Sequence, residues 1–386
     1  MKKLTMLRNK TFNVGEDRDM DLNACVGNNG HVGKRGYGAG FAEGAKLLLA
    51  ELVKDGTEAT VDTLIYPICF SARHSIELFM KEQIERMGRL RSTVPVAATA
   101  TTHDLSNLWE EFARVAVATD RRFAEFVPRL ADYIGDFAEI DPTGQTFRYP
   151  DDNESKRHLV ATSIINVVLF KKRFEELAAL IEDFEILSDL VREEYRCGTY
   201  TDKLSRADLS DIARTMPQRN NWDSEAFTKA KAEIVHKYGL SSREFCKALD
   251  IIQKHCQFSS YLGVEIPIPG LTVASLDRIG LIASGEMPRR EMDTASMIAL
   301  DAVFQVGRPS QYCEDYLAIA ADSADDPDVL GRAGFLFSNW EKKIDRLRVG
   351  LLKLGQVSLA ERLNERHPPS ASVAALLNPE GRCEDE

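Results

Sequence analysis

Apolar positions in the first half of the chain recur at the spacing of amphipathic helices. Between residues 41 and 54 they stand three or four positions apart, the period of one helix face: Phe41, Ala45, Leu48, Leu49 and Leu52. The same pattern predicts helices over residues 60–87, 103–118 and 121–137. Residues 158–195 contain no glycine or proline and predict one long helix or two stacked end to end.

The second half of the chain shows shorter helical patterns and no alternating strand pattern, so the fold class predicted is all-α. Glycine and proline in Gly263-Val264-Glu265-Ile266-Pro267-Ile268-Pro269-Gly270 indicate an extended linker. The pattern divides the chain into six segments, in order: a polar lead (1–35), a helical bundle (36–198), a helical extension (199–262), the linker (263–272), a smaller C-terminal helical unit (273–367) and a disordered tail (368–386).

Composition and charge narrow the function classes. The net charge of −11 argues against broad nonspecific binding to nucleic acid, although a local basic groove stays open as an alternative. The seven cysteines form no CxxC pair, so we expect reduced thiols, no metal site and no cofactor. The N-terminus is charged and no long apolar run occurs, so we expect a cytoplasmic protein without a signal peptide or membrane contact.

The predicted helix over residues 60–87 carries a charged stripe. With Arg73 at zero and a rotation of about 100° per residue, Glu77 falls near ~40°, Lys81 near ~80° and His74 near ~100°. Apolar side chains occupy the opposite arc: Ile68, Ala72, Ile76, Phe79 and Met80. Phe70 and Leu78 flank the stripe, so it is expected to be half-buried, and half-buried charges need partners.

Two interpretations of the stripe follow. In the first, Arg73, Glu77 and Lys81 form i,i+4 ion pairs, and His103 and Arg148 complete an internal network. In the second, five basic side chains form a pocket for the phosphate of a nucleotide or RNA, with Glu77 orienting them: Arg73, His74, Lys81, His103 and Arg148. From the residues alone the internal network is the favoured interpretation.

Three segments of the chain resemble the HEPN superfamily of bacterial helical proteins. The segments are the Arg-His-x-x-Glu-Leu-x-x-Lys order from Arg73 to Lys81, His103-Asp104-Leu105, and Phe147-Arg148-Tyr149-Pro150. The resemblance covers about residues 40–195. It implies an antiparallel helical bundle, frequent dimerisation, and roles in phage defence, toxin–antitoxin pairs or RNA processing.

Catalytic members of that superfamily are metal-independent ribonucleases with an Arg-x(4–6)-His motif. The resemblance implies that the arginine supports charge on the phosphate and that the histidine transfers a proton or orients the reacting 2′-hydroxyl. The matching spacing here is Arg362 to His367, beyond the resembling region, where a basic helix end before Pro368-Pro369 is the alternative explanation. Arg73, His74 and His103 are the other catalytic candidates.

A helix–turn–helix pattern follows in the predicted extension. Residues 229–237 and 242–255 are helical in pattern, with a glycine turn between them, and the second helix offers Arg243, Lys247 and Lys254 to DNA. Plain packing of a helical hairpin explains the same pattern, and the acidic balance of the chain makes DNA the less expected partner.

Taken together, the residues and the resemblance predict a protein of a bacterial defence or toxin–antitoxin system that binds RNA or a nucleotide. If it is an enzyme, we expect a metal-independent ribonuclease. The alternative is a non-catalytic scaffold subunit that binds protein partners, and a DNA-binding regulator comes third. A homo-oligomer or a protein partner is expected in either of the first two cases.

Overall fold

The computed structural model describes residues 11–13, 17–27, 32–91, 93–97, 102–152, 154–325, 337 and 340–370. Within these residues the regular structure is helical and no β-strand is present, which confirms the all-α class. The chain forms two compact units, Met1–Ser188 and Asp189–Glu386. None of the helices in the described ranges combines the length and apolar character needed to span a bilayer.

In the described residues the first unit contains six helices, and the last of them continues past residue 188. A short 3₁₀ helix, Asp17–Leu22, precedes them. The helices are α1 (Lys34–Asp55), α2 (Glu58–Leu90), α3 (Leu105–Thr119), α4 (Arg121–Ala124), α5 (Val127–Ile140) and α6 (Val167–Arg196). α1 and α3 both pack along α2, which places the charged stripe of α2 inside the unit.

Side-chain caps explain where several of these helices begin. Thr57 and Thr60 form a capping box at the start of α2, and Asp104 accepts the Asn107 amide at the start of α3. The single helix expected over residues 121–137 is instead divided into α4 and α5. Pro128 lies in the first turn of α5, where a residue without an N–H is tolerated but cannot continue a preceding helix.

The long helix begins later than the sequence pattern predicted. Residues 158–166 are not helical, and Leu159 has a positive φ of 56° that no helix accommodates. Asn166 ends this irregular segment, because its side-chain oxygen accepts the Leu169 amide at 2.9 Å as an N-cap. The prediction of a helix from residue 158 was therefore wrong by nine residues, and α6 starts at Val167.

Aromatic side chains form much of the core beside α3 and α6. Phe184 of α6 is fully buried, and four phenylalanine rings surround it at centroid distances of 5.1–5.5 Å: Phe79, Phe112, Phe123 and Phe126. Such ring pairs add to the free energy gained by burying apolar area. They fix α2 against α3 and α6, the elements that carry the charged cluster or lie next to it.

The second unit contains nine further helices in the described ranges. They are α7 (Arg206–Thr215), α8 (Glu225–Tyr238), α9 (Ser242–Lys254), α10 (Cys256–Tyr261), α11 (Val273–Ala283), α12 (Thr294–Val306), α13 (Tyr316–Asp325), α14 (Trp340–Lys353) and α15 (Val357–Arg366). Three 3₁₀ turns accompany them: Arg219–Asn221, Arg289–Glu291 and Cys313–Asp315. One apolar core lies within residues 204–262 and another within 268–363. Most of the predicted tail, 371–386, lies outside the described residues.

Candidate functional site

A buried carboxylate, Glu77, lies at the centre of the charged cluster on α2. It is 2% exposed and accepts hydrogen bonds from Lys81 Nζ at 2.7 Å and His103 Nδ1 at 2.8 Å, both on Oε1. Arg73 pairs with its other oxygen, and His74 Nδ1 lies 3.8 Å from that same oxygen. The i,i+4 pairs that the spacing predicted are therefore present in the structure.

Glu77 stays ionised because its partners outweigh its burial. Burial alone would raise the pKa of this carboxyl, since a charge is disfavoured away from water. The nearby His74 ring, hydrogen bonds from Lys81 and His103, and the charge of Arg73 hold its pKa well below the usual range. The site therefore contains a permanent negative charge at neutral pH.

Arg73 acts as a clamp between three chain segments. Its side chain is 1% exposed, and Nε donates to the Asp141 carbonyl at 3.2 Å, while Nη2 donates to the Pro142 carbonyl at 2.9 Å and to the His103 carbonyl. Gly144 lies against this guanidinium with a φ of +79°, and a Cβ there would stand 3.1 Å from Nη1. Arg73 therefore positions the backbone of His103 and of the turn before Gly144.

His103 is the exposed member of the cluster. Its side chain is 74% exposed although its partner Glu77 is buried. An ionised carboxylate can only accept, so Nδ1 of His103 carries the proton that it donates to Glu77. In the neutral ring Nε2 is then unprotonated and can accept a proton, which is the arrangement of a carboxylate-oriented general base.

A cavity of about 550 Å³ opens over this cluster. Its lining includes residues of the Glu77 cluster and, from the loop after α5, Thr143, Gln145 and Arg148. The guanidinium of Arg148 lies over the Phe70 ring at 5.7 Å, and no ion pair joins it to Glu77 among the described contacts. With both histidines neutral, two arginines and one glutamate give the lining a net charge of +1.

The arrangement suits an anion that presents a removable proton. Arg148 supplies a positive charge at the cavity, and His103 supplies a base whose orientation Glu77 fixes. Arg73 has a different role from the one in the anion-pocket interpretation. Four of its five N–H donors are used by Glu77 and by backbone carbonyls, so it supports the site from behind.

The other catalytic candidates, Arg362 and His367, lie in the second unit. Arg362 of α15 pairs with Asp277 at 3.2 Å and also with Glu365, which neutralise its charge. The ring of His367, just after α15, packs edge-on against Trp340 at a centroid distance of 6.3 Å. These contacts are those of a helix end that packs against its neighbours, the alternative that the sequence offered.

The candidate DNA-binding hairpin is formed by α8 and α9. Gly239 ends α8 in the left-handed conformation, and Ser241 caps α9 through a box with Glu244. Arg243, Lys247 and Lys254 lie on α9, whose opposite face is buried in the unit's core. Lys247 is 3.8 Å from Asp202. DNA binding by these side chains stays a prediction.

A second carboxylate with several partners, the half-buried Glu314, was missed by the sequence reasoning. It accepts from Arg206 Nε at 2.8 Å, His255 Nε2 at 2.9 Å and Thr199 Oγ1 at 2.7 Å, all on Oε1. Burial would raise its pKa, but the hydrogen bonds from His255 and Arg206 and the charge of Arg206 lower it. These partners are scattered along the chain, so no local spacing could have revealed them.

Comparison of the chain with protein-family models, with curated protein sequences and with solved structures found no match.

Proposed function

We propose that the chain is a HEPN-like protein of a bacterial defence or toxin–antitoxin system and that it binds RNA at the cavity over His103. The observation that carries this proposal is the hydrogen bond from His103 to the buried, ionised Glu77, next to a cavity that also contains Arg148. A phosphate is the anion that fits beside Arg148, and a ribose hydroxyl supplies the proton for His103.

The same geometry supports cleavage without a metal ion. His103 Nε2 takes the proton of a ribose 2′-hydroxyl, and that oxygen attacks the adjacent phosphorus. The bond from phosphorus to the 5′-oxygen of the next nucleotide breaks, and that oxygen takes a proton from water, which leaves a cyclic phosphate and a free 5′-hydroxyl. The hydroxide that remains takes the proton from His103. Arg148 stabilises the charge on the phosphate in the transition state, and Glu77 stabilises the imidazolium that forms on His103.

Aromatic rings beside the cavity favour single-stranded RNA over a duplex. The Arg148 guanidinium also lies 5.2 Å from the Tyr149 ring, which is half-exposed. Exposed Tyr66 lies with Tyr149 in a neighbouring cavity of about 590 Å³ that also contains Arg157. Unpaired bases stack on aromatic and guanidinium planes, whereas paired bases are shielded within the duplex.

The test is a binding and cleavage assay with single-stranded RNA on the full chain. We expect His103→Ala to lower cleavage at least ~100-fold with little change in binding, because general acid–base catalysis contributes about 10²–10⁴-fold. We expect Arg148→Ala to weaken both binding and cleavage. His236→Ala, which removes an exposed histidine of α8, is the matched control and should behave as the wild type.

The assay distinguishes RNA cleavage at His103 from RNA binding alone and from cleavage at another site. RNA binding without cleavage by the wild type would leave a binding module and remove the catalytic role of His103. If the wild type and Arg148→Ala bind RNA equally well, the cavity is not the RNA-binding site. A ribonuclease lost in His367→Ala but kept in His103→Ala would place catalysis at the Arg362–His367 pair instead.

A scaffold subunit is the second candidate, and an exposed apolar patch favours it. Ile164, Val168 and Leu169, at and just before the start of α6, are each more than half exposed. Exposed apolar patches favour protein interfaces, either with a second copy of the chain or with a partner protein. Co-purification of a stoichiometric protein, together with no RNA binding, would support this candidate over the first.

A further inference from the structure

The second carboxylate cluster brings together two thiols that are far apart in the sequence. Cys256 begins α10 and Cys313 begins a 3₁₀ turn, and both sulfurs lie with a nitrogen of His255 in a group whose atoms are all within 4.8 Å of one another. Cys313 is 4% exposed, whereas Cys256 is only partly buried. Cys256 is therefore the more exposed residue of the two.

We propose that Cys256 and Cys313 form an oxidisable thiol pair, which a peroxide converts into an intrachain disulfide. A disulfide needs a sulfur–sulfur distance of about 2.05 Å, so the two sulfurs must approach by less than about 3 Å. Rotation about the Cα–Cβ bonds moves a sulfur by such distances.

The surroundings make the two thiols chemically unequal. A hydrogen bond from Cys313 lowers the pKa of Cys256 despite burial, and the Gln257 amide and the Arg206 charge act in the same direction. The hydrogen bond with Cys256 and burial both raise the pKa of Cys313. Cys256 is therefore the nucleophile, because the thiolate is the reactive form, and Cys313 is the thiol that resolves the first product.

The two steps balance with hydrogen peroxide as the oxidant. The Cys256 thiolate attacks one oxygen, the O–O bond breaks, and a sulfenic acid and hydroxide form. The sulfur of Cys313 then attacks the sulfenic sulfur, the S–O bond breaks, and the thiol proton leaves with the hydroxide as water. Both sulfurs are oxidised, and one peroxide is reduced to one water and one hydroxide. The hydroxide becomes a second water when it takes up the proton that Cys256 released on forming its thiolate.

A metal ion fits the group formed by His255, Cys256 and Cys313 less well than a disulfide between the two cysteines does. His255 Nδ1 accepts the Phe258 amide at 3.2 Å as the cap of α10, so the ring proton lies on Nε2, which donates to Glu314. If His255 bound a metal through Nε2, the ring proton would have to move to Nδ1. Nδ1 could then no longer accept the Phe258 amide that caps α10. The Arg206 guanidinium, 3.5 Å from the Cys313 sulfur, adds a positive charge that disfavours a cation.

The test treats the full chain with hydrogen peroxide, counts free thiols after unfolding, and maps the peptides. We expect two of the seven thiols to be lost, one peptide pair linked through Cys256 and Cys313, and full recovery with dithiothreitol. In Cys313→Ser, a sulfenic acid should accumulate at Cys256 and react with dimedone. Cys246→Ser, which removes the exposed thiol of α9, is the control and should still form the link.

Two other results would contradict the proposal that Cys256 and Cys313 form a disulfide. Recovery of Cys256 as a sulfinic acid, with no linked peptide from folded wild-type protein, would show that Cys313 does not reach it. Retention of one zinc ion per chain after incubation with zinc and dialysis, with both thiols then protected from peroxide, would identify a metal site instead. The peptide map of the wild type decides the matter even if a cysteine variant fails to fold.

Discussion

The clusters around Glu77 and Glu314 contain the same types of side chain. They differ in the surroundings of the histidine ring nitrogen that does not contact the carboxylate. Each carboxylate is paired with an arginine and with a histidine, at 2.8 Å for His103 and 2.9 Å for His255. The His103 side chain is 74% exposed at a cavity, whereas the His255 side chain is 9% exposed. The second nitrogen of His255 is already used as a helix cap.

The difference teaches that a carboxylate–histidine pair does not by itself indicate acid–base chemistry. In both places ion pairing and hydrogen bonding offset the cost of burying the carboxylate. What distinguishes them is whether the second ring nitrogen can reach a ligand. On this criterion the cluster at Glu77 is suited to proton transfer, and the cluster at Glu314 is suited to holding its elements and its two thiols in place.

The largest expected effect is a loss of folding stability when the arginine of each cluster, Arg73 or Arg206, is replaced. Arg73→Met should lower the free energy of unfolding by about 3–5 kcal/mol, because it leaves Glu77 buried with fewer partners and removes a hydrogen-bond donor from three carbonyls, of which Pro142 keeps the Leu105 amide. Arg206→Met should cost about 2–3 kcal/mol, because Glu314 keeps the donors of His255 and Thr199. Chemical denaturation of both variants measures the difference, and a larger loss for Arg206→Met would contradict it.

A positive-φ glycine lies against each cluster, and replacing it should have the next largest effect. Gly355→Ala would place a Cβ 2.1 Å from the Cys256 carbonyl oxygen, so we expect a loss of about 2–3 kcal/mol. Gly144→Ala meets only the movable end of Arg73, at 3.1 Å, and should cost about 1–2 kcal/mol. Gly135→Ala in α5, with open space around it, is the control and should be neutral or stabilising.

The smallest expected effect is the pH dependence of the Glu77 cluster. The folded-state pKa of Glu77 is lowered from 4.5, so its stabilising contribution is complete above that value and is lost as the pH falls below it. The difference in unfolding free energy between wild type and Glu77→Gln should therefore narrow by about 1 kcal/mol or more between pH 7 and pH 3. A constant difference over this range would show that the carboxylate charge contributes nothing.

The sequence predicted those parts of the site that depend on local spacing. Arg73, Glu77 and Lys81 are one helical turn apart, so their pairing follows from the geometry of α2 alone. His103 was selected from the His103-Asp104-Leu105 segment, which opens the helix predicted over residues 103–118. The backbone partners of Arg73 in the Asp141–Pro142 turn could not be predicted, because a carbonyl has no residue-specific signature and its position depends on how two helices pack.

The start of α6 and the partners of Glu314 could not be predicted from the spacing of residues along the chain. The start of α6 was misplaced because the absence of glycine and proline does not make a helix, although Asn166 offered the cap signal. The partners of Glu314 come from α7, the α9–α10 junction and the chain near residue 199, so only the fold brings them together. Buried polar networks of this kind are set by tertiary packing.

The contact between Gly144 and the guanidinium of Arg73 has a consequence for how the sequence can diverge. Two separate constraints therefore act on position 144: its left-handed backbone, which favours glycine whatever residue stands at 73, and the space taken by the arginine. A shorter residue at 73 removes only the second constraint. The cost of changing positions 73 and 144 together should therefore be less than the sum of the two separate costs, while glycine stays the favoured residue at 144.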